Sequence, residues 1–325
     1  MGRRPLRLLP VVAAAALALA AAPAASAARV AIFFYPWYGT PKLDGGYQQW
    51  GQNGHDPPGD VYSPYYPARG AYSSSNAYVL DRQMAEIAAA GVDEVVVSWW
   101  GRGSPTDGRL TAVIAAARKH RLQVAIHIEP YGGRTIESVA GDIGTLALRG
   151  VRDFYVFHAE DIPSSEWASL RPTLPHVRLF AQTGLVGFAS AGRFDGIYTY
   201  DIMTFGGQKL GRLCREAHRL GLLCAPSVGP GYDALHADGD DQIKPRRDGA
   251  TYDDMWKAAL RAEPDLVTIT SYNEWGEGTQ IEPARPHFGY LNYNGAFGLK
   301  GRPARRAYLV RTAFWARRAH RPHRG

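Results

Sequence analysis

Leu266-Val267-Thr268-Ile269-Thr270-Ser271-Tyr272-Asn273-Glu274-Trp275-Gly276-Glu277-Gly278-Thr279-Gln280-Ile281-Glu282 is the stretch on which the reading of this chain turns. It opens as a strand, with β-branched and apolar residues alternating with small hydroxyls over 266–272. At Gly276 and Gly278 it breaks into a turn. Three carboxylates, Glu274, Glu277 and Glu282, fall within nine residues of one another. Neighbouring glutamates ordinarily mark a solvated loop. A loop meant only for water has little use for Tyr272, Asn273 and Trp275, so the cluster reads as functional.

Working outward, the chain repeats one theme: a short apolar strand, then a helix. Strands are expected at 30–35, 94–99, 123–128, 153–157, 177–182, 196–200, 222–228 and 266–272. Helices are expected near 106–120, 135–148, 208–220 and 252–262, and another begins at Asn76, an N-cap, and stops at Gly91. A last helix over 303–318 offers Ala307, Val310 and Phe314 as its core stripe. Eight such units predict an α/β fold, a single closed (β/α)8 TIM barrel with its active site at the carboxyl ends of the strands. An open doubly wound sheet is the alternative, but no glycine-rich phosphate turn follows the first strand. No linker or second domain is evident. The longest connection, residues 39–75, is expected to fold over the barrel mouth.

The first 27 residues read as a secretory signal peptide: Arg3, Arg4 and Arg7, an apolar run over 8–22, then Ala25-Ser26-Ala27. The catalytic domain is then residues 28–325, exported and, once cleaved, without stable membrane insertion. The formal net charge of +7 is a terminal effect. Twelve of the 37 basic residues lie in 1–28 and 300–325, where no acid occurs, leaving 25 against 30 acidic residues between them. That acidic middle excludes a nucleic-acid groove. Export permits a bridge between Cys214 and Cys224, and two buried thiols fit the sequence equally well. Neither the cysteines nor His158, Glu160 and Asp161 match a metal signature, so no metal and no cofactor is expected.

The strand ends carry the chemistry. Tyr35-Pro36-Trp37-Tyr38, Ser98-Trp99-Trp100, His127-Ile128-Glu129-Pro130-Tyr131, Tyr198-Thr199-Tyr200-Asp201 and the segment ending in Tyr232 bring aromatics and carboxylates toward one rim, together with the glutamate cluster. Rings stack on the C–H faces of sugars while carboxylates and histidine bind hydroxyls, so the combination describes a carbohydrate site. His127 alternates with Ile126 and Ile128 and reads either as a sugar contact or as a hydrogen-bonded core histidine. Arg134 reads either as the partner that holds Glu129 ionised or as an ordinary surface arginine.

In order along the chain, these segments resemble glycoside hydrolase family 99, the endo-α-1,2-mannosidases and endo-α-1,2-mannanases. The segments are Tyr35-Pro36-Trp37-Tyr38-Gly39, Tyr72-Ser73-Ser74, Val97-Ser98-Trp99-Trp100, His127-Ile128-Glu129-Pro130-Tyr131 with Arg134, Phe194-Asp195-Gly196-Ile197-Tyr198-Thr199-Tyr200, Val228-Gly229-Pro230-Gly231-Tyr232 and Asn273 to Glu282. Two departures stand out: Gly276 where the family carries His, and Ser75-Asn76 where it carries Arg-Asp. The resemblance implies a retaining hydrolase in which the substrate's own 2-hydroxyl is the nucleophile, with Glu274 as base and Glu277 as acid. Tyr35, Trp99, His127, Glu129, Tyr131, Arg134, Tyr198, Tyr200, Tyr232 and Asn273 are then the expected sugar contacts. A carboxylate nucleophile, Glu129 or Glu274, is the alternative mechanism. A non-catalytic polysaccharide-binding or assembly protein is the alternative function. The expected partner is a polysaccharide or oligosaccharide, met by a monomer.

Overall fold

The structure, a computed structural model, describes residues 27–322. The expected signal peptide lies, but for its last residue, outside the described residues. Among those described, no helix is long and apolar enough to cross a membrane.

Eight βα units follow one another. β1 (Arg29–Phe34) leads to α1 (Ala77–Ala89), β2 (Glu94–Trp99) to α2 (Pro105–Lys119) and β3 (Gln123–Ile128) to α3 (Ile136–Leu148). β4 (Asp153–Val156) leads to α4 (Ser164–Leu170), β5 (Arg178–Gln182) to α5 (Val186–Ala191) and β6 (Gly196–Tyr198) to α6 (Gln208–Arg219). The seventh strand is split into β7 (Leu223–Ala225) and β8 (Ser227–Val228), followed by α7 (Ala250–Arg261). β9 (Leu266–Ile269) and α8 (Ala307–Ala319) complete the series. Hydrogen-bonded order is β7-β6-β5-β4-β3-β2-β1-β9-β8, all parallel. The ring is closed but for a seam at Pro226, which has no N–H to give to a ladder. Below the seam β7 pairs with β6; above it β8 pairs with β9. The expected eight-stranded barrel is therefore present, with one strand in two pieces.

Side-chain parity sets what faces inward. Glu94 opens β2 pointing into the barrel, where it accepts from Tyr155 Oη at 2.9 Å and faces Arg29 at 3.5 Å. Glu94 is thus part of a buried polar plug at the amino end, completed by Asp153 and Arg178. Burial first, and then the charge of Asp153, push the Glu94 carboxyl up to about 8. Above the plug, Phe33, Tyr155, Phe180 and Tyr198 fill the interior edge-to-face and stacked.

Local signals explain the helices that position the mouth. Asn76 Oδ1 accepts from the backbone N–H of Tyr78 and Val79, and Gly91 takes φ +76 just beyond the end of α1. Thr135 and Ser138 cap α3 reciprocally. In α8 the buried face is Tyr308, Leu309, Thr312, Trp315 and Ala319, while Val310 is 60% exposed. Of the expected stripe Ala307 is buried and Phe314 packs half-buried on the core, while Val310 turns outward, because Trp315 stacks on Trp256 and Tyr308 meets Tyr252 of α7 edge-on. Cys214 of α6 and Cys224 of β7 are bridged, with Cα atoms 5.2 Å apart. Residues 39–75 do cover the mouth: Trp50 and Tyr72 are buried against Tyr38 and Trp275.

Candidate active site

The stretch 266–282 leaves β9 and folds back on itself. Ser271 N donates to Thr279 O, Ile281 N to Ser271 O and Glu282 N to Tyr272 O, at 2.8–3.0 Å. The reversal needs glycine at 278: φ is +61, and a Cβ there would lie 2.6 Å from Asp233 O. Asp233 N in turn donates to Glu277 O at 3.0 Å, fixing the Glu277 backbone from a neighbouring loop.

The three glutamates separate by environment. Glu282 is fully buried and holds the frame: it accepts from Tyr72 Oη (2.7 Å), Trp275 Nε1 (3.0 Å), Gln83 Nε2 (2.9 Å) and Arg69 Nη1 (2.8 Å). Glu274 and Glu277 face the cleft. Tyr200 Oη donates to Glu274 Oε2 at 2.6 Å, and Tyr35 and Tyr200 share a hydroxyl hydrogen bond of 2.6 Å. Burial, the charge of Glu277 and that of Glu129 push the Glu274 carboxyl well above the usual range, while the Tyr200 bond opposes them. Burial also leads for Glu277; its contact with Glu274 opposes, and the charges of Asp201, Glu129 and Asp238 add to bring it to about 7. The pair therefore keeps a proton near neutral pH, which is what an acid–base couple requires. Burial, then the charge of Glu274, raises the Tyr200 phenol well above its ordinary value, so it remains a donor.

A second cluster stands beside the first. Glu129 Oε1 accepts from Ser98 Oγ at 2.7 Å and lies 3.0 Å from His127 Nδ1. His127 Nε2 lies 2.9 Å from Tyr198 Oη, and its ring stacks 5.4 Å from Tyr200. His127 is thus a buried hydrogen-bonded histidine, and it orients a cleft carboxylate.

Of the expected contacts, Tyr35, His127, Glu129, Tyr198 and Tyr200 converge with Glu274 and Glu277. Tyr232 flanks them; Glu277's charge acts on its half-buried phenol, which donates to Asp240 Oδ2 at 2.8 Å. Four do not converge. Trp99 is turned into the helix layer, its Nε1 donating to Asp107 of α2 at 3.1 Å, because its neighbour Ser98 takes the inward position. Tyr131 packs edge-on against Trp99 and donates to Asp142 of α3 at 2.6 Å. Arg134 does not pair with Glu129; its guanidinium donates to Phe157 O, His158 O and Asp161. Asn273 is fully buried, its amide clamping the backbone N–H and C=O of Tyr35 at 2.8 and 2.9 Å. It positions Tyr35 and touches no cleft space.

Sequence reasoning passed over several cleft residues. Ser98 lies opposite His127 in the β2–β3 register, which places both side chains on one face. Trp37 donates from Nε1 to Ser98 Oγ at 2.9 Å and stands 6.2 Å from the exposed ring of Trp100, the two walling a hollow with Gln48, Gln49 and Gln52. Tyr62, from the long loop, lies against Gly276: a Cβ at 276 would meet its ring carbon Cε1 at 2.4 Å. Its phenol reaches Asp238 Oδ2 at 3.4 Å; burial, then the charges of Asp238, Glu277 and Glu274, raise it to about 12.

The family model described as glycosyl hydrolase family 99 matches residues 26–173 and 175–321. A glycoprotein endo-alpha-1,2-mannosidase-like protein of Danio rerio is 34% identical over 315 residues, covering 79% of this chain and 71% of the relative. Its Homo sapiens counterpart is 30% identical over 345 residues, covering 87% and 74%. The solved GH99 endo-alpha-mannosidase of Bacteroides thetaiotaomicron superposes with a TM-score of 0.79 at 28% identity, covering 90% of this chain and 98% of that one. A cyclic alpha-maltosyl-(1→6)-maltose hydrolase of Arthrobacter globiformis, at 11% identity and a TM-score of 0.52, shares the fold alone. With match, fold and relatives in agreement over nearly its whole described length, the chain belongs to glycosyl hydrolase family 99 and is a glycoside hydrolase.

Proposed function

We propose that this hydrolase opens α-1,2-mannosidic bonds within a mannan-like polymer, with retention, through a 1,2-anhydro sugar. The observation that carries the reading is the Glu274–Glu277 pair, two carboxyls in one cleft that keep a proton between them near neutral pH. In an α-mannoside the leaving oxygen at C1 and the hydroxyl at C2 are both axial and anti to one another. O2 can attack C1 from the rear once its proton is taken, and an α-glucoside, with the two groups cis, cannot follow. Glu274 takes the O2 proton, its carboxylate held by Tyr200. Glu277 protonates the departing oxygen; afterwards it takes and keeps a proton from the water that attacks C1, while Glu274 returns its own proton to O2 as the anhydro ring opens, so both carboxyls regain their starting states.

Glu129 suits a supporting role better than that of nucleophile. One of its oxygens is engaged by Ser98 and faces His127, an arrangement that fixes a carboxylate for binding a hydroxyl. The N-terminal segment, with its arginines, apolar run and Ala25-Ser26-Ala27, supports an exported enzyme acting outside the cell.

Product analysis on a panel of α-1,2- and α-1,6-linked mannans tests the substrate class, and NMR of the nascent product tests retention. A 2-deoxy or 2-fluoro mannoside, which lacks the internal nucleophile, is expected neither to turn over nor to leave an adduct. A glycosyl-enzyme trapped on Glu129 or Glu274 and seen by mass spectrometry overturns the anhydro-sugar route.

A further inference from the structure

Beside the catalytic cleft, three side chains from two loops converge with no part in the sugar chemistry. His55 and Asp60 come from the long loop over the barrel mouth, and His236 from the short helical turn Leu235–Asp238. Among the described residues they are the one group whose nitrogen and carboxylate ligand atoms all lie within 4.8 Å of one another. His55 Nδ1 lies 2.8 Å from Asp60 Oδ2, and His236 Nε2 lies 3.5 Å from Asp60 Oδ1. Ligands about 2.0–2.1 Å from a tetrahedral zinc ion stand about 3.3 Å apart, so these spacings bracket the requirement.

We propose that His55, Asp60 and His236 form a zinc site that ties the mouth loop to the loop bearing Tyr232 and Asp238. Two imidazoles and a carboxylate are borderline ligands that suit zinc, with water in the fourth position. Two independent features support a site over a chance meeting. The far nitrogen of His55, Nε2, lies 3.4 Å from Ala237 O, the backbone-carbonyl partner that ligating histidines use to fix tautomer and ring orientation. Tyr290 Oη donates to Asp60 Oδ1 at 2.8 Å, orienting the carboxylate in the same way. His55 is largely buried while Asp60 and His236 are about half and a third exposed, so an ion has a route in from solvent. The acidic run Asp238, Asp240 and Asp241 beside His236 adds local negative potential for a cation.

The consequence is mechanical. Tyr62 follows Asp60 in the same loop and leans on Gly276, and Asp233 N holds Glu277 O. A metal clip here would brace both segments that flank Glu277 without entering the reaction.

The test uses the full, untagged chain, stripped with EDTA and titrated calorimetrically with zinc chloride alone. One zinc ion per chain is expected, with an EDTA-reversible rise in Tm. His236→Ala should weaken binding by more than about 100-fold, since outer-partner losses alone cost 10–100-fold. His320→Ala, at a histidine paired with Asp93 on the far face, should leave binding unchanged. Absence of saturable one-to-one binding, or equal binding by wild type and His236→Ala, overturns the site. Circular dichroism of His236→Ala, and His236→Gln as a second variant, separate ligand loss from misfolding.

Discussion

Raising the pH is the most direct probe of Glu277. Its carboxyl sits at about 7 against an ordinary 4.5, chiefly through burial, with the charges of Asp201, Glu129 and Asp238 adding to it. An acid at 4.5 would be only about 0.3% protonated at pH 7, whereas one at about 7 is about half protonated, a gain of about 150-fold in enzyme ready to donate. The sign follows: activity is retained below the raised value and lost above it, about tenfold per further pH unit. The profile of kcat/KM against pH, followed by reducing-end release from an α-1,2-mannan, should therefore show an alkaline limb with its midpoint at or above about 7. Glu277→Gln should erase that limb and cost about 10²–10⁴-fold, or about 3–5 kcal/mol of barrier, on the natural linkage. An aryl mannoside with a good leaving group needs no proton and should lose far less. Asp238→Asn removes one of the raising charges and should move the limb to lower pH. A midpoint below about 5.5, the range of solvent-exposed carboxylates, or equal losses on both substrates in Glu277→Gln, would refute the assignment.

Three further outcomes follow from the frame. Asn273→Ala strands the backbone N–H and C=O of Tyr35, and at about 1–3 kcal/mol per buried unpaired group should cost about 2–6 kcal/mol in denaturant unfolding; a loss within experimental error contradicts the clamp. Glu94 is raised from 4.5 to about 8, so its folded form holds a proton that the unfolded chain releases, and stability should fall as pH rises through that window; Glu94→Gln should flatten the dependence, and an unchanged slope argues against the buried plug. Thiol titration of the unfolded, unreduced protein should find no free thiol, and reduction should lower stability by about 2–4 kcal/mol while sparing activity, since the bridge ties α6 to β7 in the helix layer and neither cysteine contacts Glu274 or Glu277.

The architecture was legible because its signals are periodic and local. Strand runs, the Asn76 cap and the glycine stops each announce themselves within a few residues. The seam at Pro226 was less so: residues 222–228 read as one apolar run, and only the ladder shows that the proline divides its partners. The candidate site was half legible. Its segments do meet at the barrel mouth, but which of two adjacent residues faces inward depends on strand parity, and chemistry alone chose Trp99 over Ser98. The β2–β3 register decides it, since Ser98 lies opposite His127 and Trp99 opposite Ile128. The same limit applies to Tyr131, whose hydroxyl found Asp142 in the helix layer. Asn273 and Glu282 carried the polarity of a site yet were spent on the frame, because a buried backbone segment must have its hydrogen bonds met somewhere. Tyr62 left no trace in the motifs, since its loop lies over two hundred residues from the glycine it covers.

That last contact makes two distant positions answer to each other. With Tyr62 Cε1 only 2.4 Å from where a Cβ at 276 would stand, any side chain there demands that the ring retreat by about 1 Å or more to reach ordinary carbon contact. Substitution at 276 is thus conditional on position 62: a histidine introduced beside an intact Tyr62 collides, and Tyr62 removed beside Gly276 opens a gap next to Glu274 and Glu277. Exchange of one wall of the cleft for another must pass through both changes together, so the pair behaves as a single heritable unit. Attempts to redirect this enzyme by one-at-a-time replacement would meet epistasis there first.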